Sequence, residues 1–141
     1  DAIYRQLLEF EPNNPEALNN LGYLYASRGM RLDEARQLIE RALELSPDAA
    51  HILDSMGWVL YQQGEYEPAV QRLEHAVEAL GGLAGADPAD AEIYEHLGDA
   101  YRKNNRPGDA RKAYEKGLKA DPKRESLQQR LDALNTAEDE R

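Results

Sequence analysis

Cysteine is absent from the 141-residue chain, and so are long apolar runs. Without cysteine the chain has no disulfide, zinc–thiolate site or thiol chemistry, although this absence does not choose between cytoplasm and periplasm. No apolar run approaches the ~20 residues that a membrane-spanning helix needs, so we expect no direct membrane insertion. The chain begins at Asp1 with helical sequence and no methionine. This favours a processed product or an excised fragment and keeps a lost targeting segment open.

Positive charge is also scarce, with 17 basic against 27 acidic residues and a net charge of −10. A chain this acidic is a poor candidate for nucleic acid, which requires clustered Lys and Arg. The exception is 102–124, with nine basic and three acidic residues, against eight and 24 in the rest of the chain. Cations such as Arg111, Lys112, Lys116 and Lys119 suit a solvated helix whose C-terminal end they stabilise. The alternative is a docking surface for an acidic partner or an anionic lipid surface.

Catalytic motifs are lacking too. The chain has no G-x-S-x-G, P-loop or H-E-x-x-H sequence, and its serines have no evident histidine partner. Glu92 and His96 share a helix face at an i, i+4 spacing that a metal could use. No second His or Asp pair lies nearby in the sequence, however. We therefore predict no enzymatic activity, no metal site and no cofactor.

Three segments of the chain are similar to one another. The matching positions are Leu18, Leu53 and Tyr94; Leu21, Met56 and Leu97; Gly22, Gly57 and Gly98; Ala35, Ala69 and Ala110; Ile39, Leu73 and Tyr114; and Ala42, Ala76 and Gly117. The Gly-to-Gly spacings are 35 and 41 residues. They fit a repeat of about 34 residues with one extra residue in the first turn and an insertion around 81–87. Apolar periodicity and the Gly and Pro boundaries predict two amphipathic helices per unit.

This pattern resembles the tetratricopeptide repeat, in which bulky, L-G, Y, A, F, A and P positions recur. The resemblance implies an all-α, right-handed α-solenoid whose stacked units bury one continuous core. It predicts a single domain: a helix of a partial repeat over 1–12, repeats over 15–48, 50–88 and 91–122, a capping helix over 123–135 and a frayed tail over 136–141. The insertion in the second repeat either lengthens its second helix or forms a loop. Gly117 and Leu60 depart from the pattern without breaking its packing logic.

The only tryptophan, Trp58, directly follows Gly57 within a helical pattern. We expect the small residue where a partner helix passes close, and Trp58 lies about 100° further round the helix. In the family, that side of the first helix faces a concave groove. The resemblance thus implies a groove lined by Asn19, Asn20, Tyr23 and Ser27 in the first unit, Asp54, Trp58, Tyr61 and Gln62 in the second, and Glu95, His96, Asp99, Arg102 and Lys103 in the third. The alternative is that Trp58 and Tyr23 simply pack against each other.

The resemblance implies a non-enzymatic scaffold or adaptor that binds a protein or peptide in this groove. Aromatic anchors at Trp58, Tyr23 and Tyr61 would supply contact area with few rotatable bonds. Asn19 and Asn20 would bond a peptide backbone as donors and acceptors. The competing hypothesis is a self-associating assembly module, a homo-oligomer formed through the exposed ends of the repeat stack.

Two further expectations follow from the resemblance. One subset of the family grips C-terminal carboxylates with Lys, Asn and Arg side chains, whereas the matching places here hold Asn19, Tyr23 and Glu92. We therefore predict against that activity. The stretch 32–70 also resembles bacterial members of the family, including envelope lipoproteins that scaffold proteases or secretion machinery. This implies a bacterial source and favours the periplasm, or an envelope-anchored location, over the cytoplasm.

Overall fold

The computed structural model describes residues 2–81 and 87–139. Within these ranges the chain forms eight α-helices: α1 (Ala2–Phe10), α2 (Pro15–Ser27), α3 (Leu32–Leu45), α4 (Ala50–Gln62), α5 (Tyr66–Leu80), α6 (Ala91–Lys103), α7 (Pro107–Ala120) and α8 (Glu125–Asp139). Each helix packs against the next, and the first helices of the repeats, α2, α4 and α6, also contact one another in order. No helix in the described ranges is both long and apolar enough to cross a membrane.

The same turn joins the two helices of each repeat. It places one residue in the left-handed region that favours Gly or Asn: Gly29, Gly64 and Asn105, with φ of +63°, +81° and +60°. In each turn a backbone N–H also reaches back five residues to a carbonyl of the first helix: Met30 to Tyr25 (3.0 Å), Glu65 to Leu60 (2.9 Å) and Arg106 to Tyr101 (2.9 Å). The turn residues that recur in the sequence are therefore conformational requirements of this connection.

Glycine lets the two helices of each repeat approach closely. A Cβ atom on Gly57 would lie 2.5 Å from Cγ of Leu73, a side chain that is fully buried. The equivalent pairs are Gly22 with Ile39 and Gly98 with Tyr114. The reason predicted for Gly57 is thus confirmed, because a side chain at this position would occupy the space that Leu73 fills.

Helix α8 covers the C-terminal end of the stack. Its residues Leu127, Leu131 and Leu134 are buried, and a Cβ atom on Gly117 would lie only 2.8 Å from Leu127 Cδ1. The small residue at 117 therefore makes room for α8. The helix continues to Asp139, four residues beyond the end of the predicted capping helix. The Thr136 hydroxyl donates to the Asp132 carbonyl within the added turn (2.9 Å).

The insertion in the second repeat is bounded by two caps. Helix α5 is followed by Gly81, which has a φ of +78° and acts as a left-handed C-cap. On the other side, the Asp87 carboxylate accepts a hydrogen bond from the Ala89 N–H (2.9 Å) at the start of a 3₁₀ turn over Pro88–Asp90. The question of a longer helix or a loop falls on 82–86, outside the described residues.

Candidate functional site

An aromatic cluster lies where α2, α4 and α6 meet. The ring centroid of His96, on α6, is 4.1 Å from that of Trp58, on α4, and the two planes are 19° apart. Tyr61, one turn after Trp58, stacks on the indole at 4.8 Å. Tyr23, on α2, is tilted against His96 at 6.5 Å. The first helices of all three repeats therefore contribute to one cluster, and His96 is the ring that both Trp58 and Tyr23 approach.

His96 is a buried histidine with a carboxylate near each ring nitrogen. Its Nδ1 lies 2.7 Å from Asp54 Oδ1, and its Nε2 lies 3.6 Å from Glu92 Oε1. Burial alone would lower the pKa of His96, but the attraction and hydrogen bond of Asp54 outweigh it and raise that pKa. Asp54 and His96 are 42 positions apart in different repeats, so sequence reasoning placed both in the groove without pairing them.

A hydrogen bond connects the first repeat directly to the third. The Tyr23 hydroxyl donates to Glu92 Oε1, although α4 lies between their helices in the stack. Burial and this carboxylate raise the pKa of Tyr23. Sequence analysis considered Glu92 only as a metal or clamp position. Its position beside Tyr23 follows from the stacking of the repeats, for which no local pattern gives a signal.

The carboxylates predicted for the third-repeat end of the groove are instead covered by α8. The Arg130 guanidinium binds Asp99 with two contacts (2.8 and 3.1 Å), and the Tyr114 hydroxyl donates to the same carboxylate (2.5 Å). Glu95 is held by Arg124 (2.8 Å) and by the Ser126 hydroxyl (2.6 Å). Burial opposes ionisation of Glu95, but these donors and Arg130 lower its pKa.

The structure therefore divides the thirteen predicted groove side chains into three groups. Five are buried: Asn19, Asp54, Glu95, His96 and Asp99. Four are half-buried, namely Tyr23, Trp58, Tyr61 and Gln62, and four are exposed, namely Asn20, Ser27, Arg102 and Lys103. The Asn19 Oδ1 atom is buried and has no hydrogen-bond partner among the described residues. Burial leaves the first group little surface for a partner, so the accessible face consists of the other eight side chains.

Within residues 2–81 and 87–137, the side chains that commonly bind metals do not cluster in groups of three or more. No set of three or more His, Cys, Asp or Glu side chains there has an arrangement that could hold a metal ion. Glu92 and His96, the candidate pair from the sequence, instead contact Tyr23 and Asp54 respectively. The chemistry that this face offers is therefore aromatic contact and hydrogen bonding at its surface.

Comparison with known proteins identifies the repeat. Two family models described as tetratricopeptide repeat match residues 14–81 and 55–125. The TPR repeat-containing protein PA4667 of Pseudomonas aeruginosa is 42% identical over 95 residues, which are 67% of this chain and 15% of that protein. The type IV pilus assembly protein PilF of the same organism is 28% identical over 82% of this chain and 43% of its own length. The chain thus spans less than half the length of these relatives.

Solved structures agree with this assignment. The structure of Pseudomonas aeruginosa PilF matches with a TM-score of 0.83 and 26% identity, over 97% of this chain and 59% of that one. The first TPR of Spaghetti (RPAP3), bound to the HSP90 peptide SRMEEVD, matches with a TM-score of 0.74 over 87% and 91%, and its 18% identity supports the fold alone. The predicted all-α solenoid is confirmed, and the chain belongs to the tetratricopeptide repeat family.

Proposed function

We propose that this chain is a non-enzymatic scaffold or adaptor that binds a peptide or protein segment on the concave face of α2, α4 and α6. The family fold is a scaffold for protein–protein interaction. The observation that carries the finer proposal is the half-buried cluster of Tyr23, Trp58 and Tyr61. Half-buried aromatic side chains on a packed scaffold add contact area to a partner at low entropic cost.

Polar side chains around the cluster support the same function. Asn20 and Ser27 are exposed on α2, and Arg102 and Lys103 are exposed at the end of α6. Amide and hydroxyl groups can donate to and accept from a peptide backbone, while the two cations favour acidic side chains of a partner. Asn19 contributes less than the sequence suggested, because its carbonyl oxygen is buried.

The carboxylate-gripping subset of the family remains a poor match. The Spaghetti structure holds an HSP90 peptide that ends in two glutamates, Val and Asp. Here the corresponding places hold a buried Asn19 and a Tyr23 that is already bonded to the carboxylate of Glu92. A negative group in front of this pair would be repelled, so we expect apolar and amide contacts there, with acidic side chains of a partner only near Arg102 and Lys103.

A capture experiment tests the groove. Wild type and Tyr23→Ala/Trp58→Ala would be immobilised and exposed to a lysate of the organism that encodes the chain. Met30→Ala/Leu45→Ala, which removes two exposed apolar side chains outside the groove, is the matched control. We expect a protein that the wild type and the control retain and the groove variant loses, with all three folded by circular dichroism. Equal capture by all three would disprove the groove assignment.

Self-association is the second candidate function, because α1 exposes apolar side chains in the part of the chain that the structure describes. On α1, Ile3 and Phe10 are 77% and 86% exposed. A second copy could cover this face, since exposed apolar patches on a repeat end favour stacking. Sedimentation velocity at protein concentrations from about 5 to about 200 µM would test self-association. We expect Ile3→Asp/Phe10→Asp to abolish any concentration-dependent increase in size, and a monomer at every wild-type concentration would disprove it.

A further inference from the structure

Three lysines form a stripe on α7 that the concave groove does not use. Lys112, Lys116 and Lys119 lie at i, i+4 and i+7, within about 60° of one another around the helix. All three side chains are exposed, and none forms an ion pair with a described residue. Glu115 is exposed next to the stripe and offsets one of its three charges. The stripe therefore keeps a net positive charge on a chain that is strongly negative overall.

The arginines of the same basic segment are used differently. Apart from the exposed Arg102, they contact other side chains of the chain: Arg106 pairs with Asp109 (2.9 Å), Arg124 pairs with Glu95 (2.8 Å) and Arg111 donates to Asn135 (3.2 Å). These contacts explain the arginines as structural groups that fasten α6, α7 and α8. The three lysines have no such explanation, because their ammonium groups bind nothing in the described structure.

A cleft opens beside the stripe, where α5, α6 and α7 meet. Its volume is about 140 Å³, and its lining is mainly apolar and aromatic: Val77, Tyr94, Leu97, Tyr101 and Ala113, with Asp109, Lys112 and Lys116 beside them. A cavity of about 150 Å³ is large enough for a benzene-sized group. The cleft therefore offers room for one side chain of a partner above a floor of buried apolar side chains. The Asp109 carboxylate at its wall is already paired with Arg106.

We propose that the lysine stripe and this cleft bind an acidic segment of a partner protein. Successive lysines are about 6 and 4.5 Å apart along the helix, and their flexible side chains can spread to the ~7 Å between same-face side chains of an extended chain. Carboxylates at alternate positions of such a segment can therefore meet the lysines in turn. An apolar side chain at one of these same-face positions, in place of a carboxylate, can enter the cleft. This surface lies on a second helix of the stack and is independent of the groove.

A short acidic segment fits this surface better than a larger polyanion. Outside 102–124 the chain carries eight basic and 24 acidic residues, so a membrane or a nucleic acid that reached past the stripe would be repelled. Large apolar side chains that could enter a bilayer are also missing from α7: in the described structure the exposed ones are Ile3, Leu7, Phe10, Met30 and Leu45. The apolar cleft would remain unused by a flat layer of headgroups.

Fluorescence anisotropy tests the proposal. The probe is a fluorescein-labelled peptide of alternating Glu and Ser with one central Leu, and the same peptide with Gln for Glu is its uncharged counterpart. We expect Lys112→Gln/Lys116→Gln to weaken binding of the acidic peptide about three- to tenfold. The matched control, Arg28→Gln/Arg72→Gln, removes two exposed cations outside the basic segment and should leave binding unchanged. Salt should weaken the wild-type complex.

Several outcomes would overturn the proposal. The lysine variant could bind the acidic peptide as tightly as the wild type does. The arginine control could lose as much affinity as the lysine variant, or the Gln peptide could bind as tightly as the Glu peptide. Binding to phosphatidylserine vesicles or to an oligonucleotide without binding to the acidic peptide would also overturn it in favour of a lipid or nucleic-acid surface. Tyr23→Ala/Trp58→Ala should retain full affinity for the peptide. The peptide experiment therefore tests the lysine stripe, and the capture experiment separately tests the groove.

Discussion

At the residue scale, single atoms decide how closely two helices can approach. Gly57 and Leu73 show this most clearly, because the missing Cβ of one is the space occupied by the other. Gly108 is the informative contrast, since a Cβ atom there would meet nothing within 4 Å. Two glycines in helices of the same stack therefore have opposite physical roles, and substitution separates them.

We expect Gly57→Ala to lower the free energy of unfolding by about 1 to 2 kcal/mol, because overpacking against buried Leu73 exceeds the better helix propensity of Ala. Gly108→Ala should leave stability unchanged or raise it by up to about 1 kcal/mol. Urea unfolding followed by circular dichroism measures both variants. Equal effects of the two substitutions would contradict the close helix contact at Gly57.

His96 should make stability depend on pH. Its pKa is raised in the folded chain by Asp54, so its contribution is fully present below the unfolded value of about 6.5 and is lost as pH rises through the folded pKa. We expect the stability difference between wild type and His96→Gln to shrink above that range. His75→Gln, at a half-buried histidine beside Asp48, is the control. If the difference in unfolding free energy between wild type and His96→Gln stays constant from roughly pH 5.5 to pH 9, the charged pair of His96 and Asp54 is ruled out.

At the scale of elements, α8 is held by both apolar and ionic contacts. Its leucines are buried against the third repeat, and Arg130 reaches the buried carboxylate of Asp99. Arg124 adds the contact to Glu95. The helix therefore does more than cover an apolar end, because it also neutralises two carboxylates that the sequence pattern assigned to an open groove.

Replacing Arg130 should loosen α8. We expect Arg130→Met to lower the free energy of unfolding by about 1 to 3 kcal/mol, reduced from the cost of a fully buried pair because Arg130 is about a third exposed. Asp99→Asn in the same chain should recover part of the loss, since it removes the unpaired carboxylate. Arg102→Met, at an exposed arginine without an ion pair in the described structure, should have little effect. Urea unfolding that showed purely additive losses would argue against the pair.

At the scale of the whole molecule, the repeats are not coupled only to their nearest neighbours. Stacked repeats normally gain stability from adjacent interfaces. Here the Tyr23 hydroxyl also reaches Glu92, which joins the first repeat to the third. The aromatic cluster and His96 lie at the same junction. The junction of α2, α4 and α6 is therefore a place where three repeats stabilise one another, in addition to its proposed role as a surface for a partner.

Tyr23→Phe tests this long-range connection. We expect a loss of about 1 kcal/mol in unfolding free energy, because one hydrogen bond to a carboxylate is removed while the ring remains. Amide hydrogen exchange should become faster in both α2 and α6. Tyr66→Phe is the control, because that hydroxyl has no hydrogen bond among the described residues. Faster exchange confined to α2 would show that the bridge carries no coupling between the repeats.

Much of the fold was predictable because it depends on local, repeated requirements. Gly or Asn at one turn position, Gly at the helix crossing and a large side chain opposite it recur at fixed spacing, and each is visible in a single sequence. Predictions failed where a residue's environment comes from another part of the chain. Asp99 and Glu95 have the register of groove residues, yet α8 covers them because Arg124 and Arg130 supply their counter-charges.

The sequence alone determined the repeat, its helix pairs and the family, because periodicity and small residues act over one unit of about 34 residues. It also determined the uneven charge that distinguishes α7. Only the tertiary structure decided which groove positions stay accessible, which carboxylates meet His96, and which cations of 102–124 are already paired. These facts depend on how the repeats are stacked, since Tyr23 and Glu92, or Asp54 and His96, come together only when separate repeats have packed into one solenoid.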